Sequence, residues 1–236
     1  MTFQIPEGLA PEAYPLAWLL GTWRGPGFLA YPSIPQRGVL TEAEFTHDGG
    51  PYLAYSSTTW LLQTPLDSLE GEIDVDALQP GQVWSTESGF WRIAPQDPAG
   101  AADGTGTAGP APGADAAGTE AAGTESTGSF GPAGTDAAAP QEAEGATPAR
   151  HQPKSTALEV LLSEPSGHVS VFLGAVEGPR VELSTDLVAR TATGAEISAA
   201  SRMYGLVGGE LLWATDLAAF GHELQSYSSG RMQRQE

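Results

Sequence analysis

The side chains of this 236-residue chain that could carry chemistry are its 29 acidic residues, its four histidines and its six tyrosines, because cysteine is absent. Without cysteine, the chain has no disulfides, thiolate metal sites, iron–sulfur clusters or cysteine nucleophiles. The sequence also lacks a Gly-x-Ser-x-Gly elbow, a phosphate-binding loop and an HExxH motif. It therefore contains none of the common hydrolase, nucleotide-binding or zinc-protease motifs, which argues against an enzyme of those classes.

The carboxylates are arranged in a pattern typical of solvent-facing charge. Glu42 and Glu44 alternate along one predicted strand and share a face, and the segment DSLEGEIDVD resembles an acidic loop. Glu87, in the segment STESGFW, begins another predicted strand, and the sequence assigns it no role.

The charge balance restricts the partners of the protein. The formal net charge is −19, from 29 acidic and 10 basic residues. Such a surface repels phosphate backbones and anionic lipid heads, so we expect no nucleic-acid and no membrane partner. The N-terminal segment has no signal-peptide pattern and the chain has no run of 18 apolar residues, which predicts a cytoplasmic location.

A change of composition divides the chain. Residues 97–154 contain no Val, Ile, Leu, Met, Trp or Tyr and are rich in Ala, Gly, Pro, Thr and acidic residues. Such a segment cannot bury enough apolar surface to offset the entropy of ordering its backbone. We therefore predict a disordered insertion over 97–154, with residues 1–96 and 155–236 forming a single domain.

The rest of the chain reads almost entirely as β-strands. Short segments rich in β-branched and aromatic residues alternate with Gly- and Pro-containing turns every 8 to 12 residues or so. About ten strands with short hairpins favour an all-β, antiparallel up-and-down barrel, which has no exposed edge and can enclose a ligand. Strands are predicted on both sides of the insertion, in QVWSTESGFWRIAP and TALEVLLS, so it would sit at a hairpin tip. Only PEAYPLAWLLG is expected to be helical, for one or two turns.

The segment LLGTWRGPGFLAYPS, residues 19–33, carries a specific pattern. Residues 21–27 fit GxWxGxG, and a Tyr-Pro-Ser sequence follows at 31–33. With TEAEFTHDGGPYLAYSSTTW, ESGFWRI and AAFGHELQSYSSGRM, this series resembles the nitrobindin family, small haem-binding barrels shaped like fatty-acid-binding proteins. In such barrels the tryptophan closes one end beneath an arginine, so Trp23 would be a plug stacked on Arg231 or Arg234.

The resemblance implies a ten-stranded barrel that holds ferric haem b, binds nitric oxide and isomerises peroxynitrite to nitrate. It also allows for a homodimer. By the same resemblance, the residues that line the haem pocket would be Gly21, Trp23, Gly25, Gly27, Tyr31, Pro32 and Ser33.

The position of the axial ligand departs from the family. The family pattern M-A-x-x-x-Q-P-L-x-x-H-L lies against LAAFGHELQSYS, which places its histidine at Tyr227. His222 lies five residues earlier, and on a regular strand it would face the other way. His168 and His47 fall in predicted turns and His151 in the insertion, so we expect them to be solvated surface residues and not ligands.

Two further features shape the interpretation of this site. Tyr227 either fills the pocket or supplies a tyrosinate ligand, as in catalases. Leu29, where the family often has glycine, adds bulk near the expected plane of the macrocycle. Three hypotheses follow. The first is a barrel without ordinary haem ligation, which binds a small apolar or amphipathic ligand or nothing specific. The second is a haem protein with Tyr227 or a displaced histidine on the iron, and the third is an acidic interaction module. Only the second would be an enzyme.

Overall fold

A computed structural model describes residues 5–63, 73–95 and 155–235. The predicted insertion and His151 lie outside the described residues. Within the described ranges, no helix has the length and apolar character needed to cross a membrane. Ten strands are present there: β1 (Gly21–Tyr31), β2 (Ile34–Thr46), β3 (Leu53–Leu62), β4 (Pro80–Ile93), β5 (Thr156–Glu164), β6 (His168–Glu177), β7 (Arg180–Arg190), β8 (Ile197–Val207), β9 (Glu210–Ala219) and β10 (Gln225–Arg234).

The strands form one closed antiparallel barrel. Each strand pairs with the next along the chain, and β10 returns to pair with β1. This confirms the all-β barrel that the alternation and turn spacing predict. Strands β4 and β5 pair directly, from Ser88 opposite Ser163 to Ile93 opposite Leu158, although 62 residues separate the two strands in the chain.

One end of the barrel is closed by the N-terminal 3₁₀ helix, Pro11–Leu19, which buries Leu16 and Leu19 completely. Pro15 lies inside this segment and lacks a backbone N–H, which disfavours a regular α-helix through it. Trp23 is fully buried above the helix, and its Nε1 donates to the Leu19 carbonyl at 2.6 Å. The predicted helical turns and the tryptophan plug are both present.

Arg234 is the arginine that covers Trp23. Its guanidinium carbon lies 4.2 Å from the centroid of the indole. The same guanidinium donates to the carbonyl oxygens of Leu20 and, at 2.9 Å, Trp18, so it ties the end of β10 to the helix. A second 3₁₀ helix, Val75–Ala77, packs Val75 on Leu40 at the outer wall of the barrel.

The opposite end is the mouth of the barrel. Because β1 runs away from the closed end, its last residue, Tyr31, lies at the mouth, where its hydroxyl accepts from the Ala219 amide at 2.9 Å. The last residues of β9 and the first of β10 therefore also lie at the mouth. The space between the mouth and the buried core around Trp91 holds the candidate site.

Candidate functional site in the barrel interior

The barrel interior contains a cavity of about 160 Å³. Four polar side chains are buried among the described residues, and three of them, Thr41, Ser57 and Ser170, line this cavity. Apolar and aromatic side chains such as Leu29, Phe172 and Trp213 supply much of the remaining wall. The lining is therefore amphipathic, with hydroxyls available for hydrogen bonding inside a largely apolar shell.

An ion pair between β4 and β8 crosses this cavity. The Nη1 and Nη2 atoms of Arg202 each donate to one carboxylate oxygen of Glu87, both at 2.6 Å. The Tyr55 hydroxyl donates to the same carboxylate at 2.8 Å, and the guanidinium carbon of Arg202 lies 5.1 Å from the centroid of Phe172. This bidentate geometry holds both charges rigidly in the middle of the barrel.

Both members of the pair are charged at neutral pH. Burial by itself raises the pKa of Glu87, but the Arg202 charge and the hydrogen bonds from Arg202 and Tyr55 outweigh it, so the pKa of Glu87 is lowered. Burial opposes the charge of Arg202, and Glu87 more than compensates, so the pKa of Arg202 is raised. The interior therefore holds one positive and one negative charge that neutralise each other.

A hydrogen bond between two aromatic side chains spans the mouth. Nε1 of Trp84, on β4, donates to the hydroxyl of Tyr227, on β10, at 2.6 Å. These strands are not neighbours in the barrel, so the bond bridges the opening rather than following the wall. The ring of Tyr31 meets that of Tyr227 edge-on, with 6.0 Å between the ring centroids.

Tyr227 faces inward because β10 is irregular at this residue. The register of β10 against β9 shifts between Ser226 and Ser228, which leaves Tyr227 as the extra residue of a β-bulge. As a result, Tyr227 and Ser228 both line the cavity, although adjacent residues on a regular strand face opposite sides.

A second, outer groove of about 420 Å³ lies on the solvent side of this hydrogen bond. Trp84 and Tyr227 line both the groove and the interior cavity, as do Glu164 and Leu217. We call Trp84 and Tyr227 the mouth pair. The pair separates the interior cavity from the groove.

The histidines are distributed away from the cavity. His47 follows β2 at the closed end, and His222 is exposed in the β9–β10 turn, with its ring 5.7 Å from that of Tyr31. His168, expected at the surface, is only 2 % exposed: its Nε2 is 2.7 Å from the Ala195 carbonyl, and the residue lines the outer groove. None of these three described histidines lines the interior cavity.

The residues of the GxWxGxG and Tyr-Pro-Ser patterns are spread along the barrel rather than gathered at one site. Gly21 and Trp23 lie at the closed end, whereas Pro32 and Ser33 form an exposed turn at the mouth. Within the set, Tyr31 meets the ring of Tyr227 edge-on. Leu29 is 2 % exposed and lines the cavity, so it does take up interior space.

The last two glycines of the pattern, Gly25 and Gly27, lie where β1 pairs with β10. A Cβ atom on Gly25 would overlap the Arg231 carbonyl oxygen, and one on Gly27 would lie 3.1 Å from the indole of Trp213. Both glycines therefore permit close approach of backbone and side chains. Their assignment to a haem pocket stays a prediction.

Sequence reasoning missed Arg202 and Trp84 as site residues. Arg202 could have been found from its position on β8: Ala200, Arg202 and Tyr204 are two residues apart, so they share one face of the strand, and all three line the cavity. A charged residue at an inward strand position requires a buried partner. Glu87, to which the sequence assigns no role, is that partner.

The fold and the cavity together define a closed antiparallel barrel with an interior cavity beneath a mouth. The family model described as "THAP4-like, heme-binding beta-barrel domain" matches residues 12–111 and 139–234. This chain belongs to that haem-binding barrel family, the nitrobindin family.

Individual relatives extend over nearly the whole chain. A ferric nitrobindin-like protein of Beutenbergia cavernae is 56 % identical over 99 % of this chain and 99 % of its own length. A peroxynitrite isomerase of Leifsonia xyli subsp. xyli is 35 % identical, again over 99 % of both chains. The crystal structure of Rv2717c from M. tuberculosis superposes with a TM-score of 0.60 at 22 % identity, covering 97 % of this chain and 99 % of that one, and supports the fold alone.

Proposed function

We propose that this chain is a nitrobindin-family barrel that binds a small molecule in its interior cavity and does not hold haem b by ordinary histidine ligation. The observation that carries the proposal is the mouth pair. Tyr227 stands at the position of the family's axial histidine, and its hydroxyl already accepts a 2.6 Å hydrogen bond from Trp84. An incoming metal centre would have to displace this contact.

The protonation of Tyr227 also disfavours ligation. Burial raises the pKa of the Tyr227 phenol above its usual value near 10, so the hydroxyl keeps its proton at neutral pH. Iron coordinates tyrosine as the phenolate, which needs a nearby cation. The charge of Arg202 does act to lower the pKa of Tyr227, but burial outweighs it, and Arg202 is already paired with Glu87. Arg231, four residues on, pairs in the ladder with Leu212, which is 40 % exposed, so Arg231 belongs to the outer face of the barrel.

The size of the cavity points in the same direction. Pockets that bury drug-sized ligands usually have volumes of roughly 300 to 1,000 Å³. The interior cavity has about 160 Å³, with Leu29 and Tyr227 both taking up space in its wall. The residues present do not fit ferric haem, because the Tyr227 oxygen is already hydrogen-bonded, its phenol keeps its proton and the cavity is small. A much smaller molecule suits this cavity better.

Haem titration of the full-length chain, followed in the Soret region, tests the proposal. The unmodified protein should show only weak, non-stoichiometric binding. Tyr227→His restores the ligand of the family and should bind haem more tightly, whereas Tyr227→Phe should match the unmodified protein. A sharp stoichiometric Soret band in the unmodified protein that disappears in Tyr227→Phe would overturn the proposal.

That contrary result would favour the second candidate function. A relative that is 35 % identical over 99 % of this chain is named a peroxynitrite isomerase. With haem bound through Tyr227, this chain would be expected to bind nitric oxide and to convert peroxynitrite to nitrate. The third hypothesis, an acidic interaction module, expects an interior filled by side chains, and the cavity weighs against it.

A further inference from the structure

The ion pair inside the cavity limits the charge that a ligand can carry. Glu87 and Arg202 keep 15 % and 12 % of their side-chain surfaces exposed, and both line the cavity. Each guanidinium Nη atom already donates to a carboxylate oxygen at 2.6 Å. A ligand at this wall would therefore meet a neutralised pair, not an open cation.

The remaining charge of the lining is acidic. Among the described residues, Glu164, at the mouth, is the one carboxylate or guanidinium group besides Glu87 and Arg202 that lines the cavity. An anion that entered would lose its hydration and find no unpaired positive charge, which is strongly unfavourable in a buried site. A carboxylate ligand would also lie close to the carboxylate of Glu87.

The uncharged polar groups of the lining suit a neutral ligand. The hydroxyls of Ser57 and Ser170 can both donate and accept, and both residues are at least nine-tenths buried. In the same lining, Leu29 and the ring of Trp213 offer apolar surface, and the buried Nε1 of Trp213 is a donor with no partner among the described residues. An uncharged molecule with one hydrogen-bonding group and a compact apolar body would match both parts of the wall.

The volume limits such a ligand to a small molecule. A cavity of about 160 Å³ is well below the roughly 300 to 1,000 Å³ of pockets that bury drug-sized ligands. One substituted ring or a short chain fills that space, whereas a long acyl chain or a fused ring system does not.

We infer that the interior cavity selects small uncharged ligands with one hydrogen-bonding group over carboxylates of the same shape, and that Glu87 sets this preference by neutralising Arg202. The inference rests on the proposed function, since it names the ligand class of the same cavity.

Benzamide and benzoate form a matched pair of probes because they share a ring and a planar head group and differ in charge. Binding is followed by the indole N–H signals of Trp84 and Trp213, which line the cavity. Ligands of this size bind weakly, so the titration extends to about 10 mM. The unmodified full-length chain should bind benzamide saturably and benzoate at least about tenfold more weakly.

Glu87→Gln should reverse this preference, because it removes the negative partner and leaves the Arg202 charge to a ligand. Glu159→Gln is the matched control: Glu159 pairs with Arg92 on the outer face of the barrel, and its loss should leave the ratio of affinities unchanged. If Glu87→Gln fails to fold, the double variant Glu87→Gln with Arg202→Gln should keep the preference of the unmodified chain.

Three results would overturn the inference: equal or tighter benzoate binding by the unmodified chain, saturable binding of neither probe, or an unchanged ratio in folded Glu87→Gln. Tight haem binding through Tyr227 would instead overturn the proposed function. The two tests use different probes and different variants, so each failure is recognised separately.

Discussion

The indole nitrogen of Trp84 and the hydroxyl of Tyr227 are joined by a 2.6 Å hydrogen bond between β4 and β10, two strands that are not adjacent in the barrel. The bond crosses the mouth, and both side chains line the interior cavity and the outer groove. A ligand that reaches the cavity through the mouth must therefore pass the mouth pair.

Tyr227→Phe should speed the exchange of benzamide between the cavity and solvent. The variant removes one hydrogen bond worth about 1 kcal/mol, so exchange should become about fivefold faster, with a smaller change in affinity. NMR line shapes measure the exchange rate. Tyr52→Phe removes a comparable hydroxyl that bonds to Asp48 and lines none of these spaces, and should leave exchange unchanged. Equal exchange rates in both variants would mean that ligands enter elsewhere.

Arg234→Met should destabilise the barrel by about 1 to 3 kcal/mol. The variant loses the stacking on Trp23 and the hydrogen bonds to the Trp18 and Leu20 carbonyls that hold the N-terminal helix in place. Urea unfolding gives the free energy. Arg92→Met, which breaks an exposed pair with Glu159, should cost no more than about 1 kcal/mol. Similar losses in both variants would contradict the plug interpretation.

The Glu87–Arg202 pair should make the barrel lose stability in acid. The pKa of Glu87 is lowered in the folded chain, so the unfolded chain takes up this proton first as the pH falls below about 4.5, the ordinary value. The stabilisation from Glu87 is present above that pH and is lost as the pH falls through the lowered pKa. The free energy of unfolding should thus fall less steeply between about pH 5 and pH 3 in Glu87→Gln than in the unmodified chain. If the plots of unfolding free energy against pH are parallel for the two proteins, Glu87 is not the source of this pH dependence.

Glu164 should act in the opposite direction. Burial raises its pKa in the folded chain, so the folded state takes up this proton before the unfolded state and gains stability on acidification. Glu164 therefore offsets part of the stability that the chain loses through Glu87 in acid. Glu164→Gln should steepen the loss of stability in acid.

Gly25→Ala should destabilise the barrel by at least about 2 kcal/mol. The new methyl group would overlap the carbonyl of Arg231, a backbone atom that cannot move without disturbing the pairing of β1 with β10. Gly205→Ala is the control, because nothing lies within 4 Å of its Cβ position, and its effect should stay within about 0.5 kcal/mol. Thermal unfolding compares them, and equal effects would remove the steric explanation for Gly25.

The fold was largely predictable because its signals are local. Alternating apolar residues and glycine-containing turns predict each strand. The contact between Trp23 and Arg234 then follows once the first and last strands pair. The surface position predicted for His168 was wrong, because its hydrogen bond to the Ala195 carbonyl depends on a loop 27 residues away.

The site was less predictable because its contacts join distant strands. Glu87 and Arg202 are 115 residues apart, and only the closed barrel and the register of its strands bring them together. The inward direction of Tyr227 comes from a bulge that no glycine or proline marks in the local sequence. His47, His168 and His222 do not line the interior cavity, and the expectation that no histidine is a ligand stays a prediction. The argument that His222 faces the other way along a strand does not apply, since β10 begins after it at Gln225.

The pairing of β1 with β10 also bears on how the chain reaches its native state. Trp23 pairs with Arg234, so the contact that shuts the barrel joins residues more than 200 positions apart. Contacts of such sequence separation are slow to form, and β-rich chains dominated by them fold in milliseconds to seconds or longer. Until β10 pairs with both β1 and β9, the sheet has two unpaired edges. The ten residues of β10 thus convert an open, aggregation-prone sheet into an edgeless cylinder.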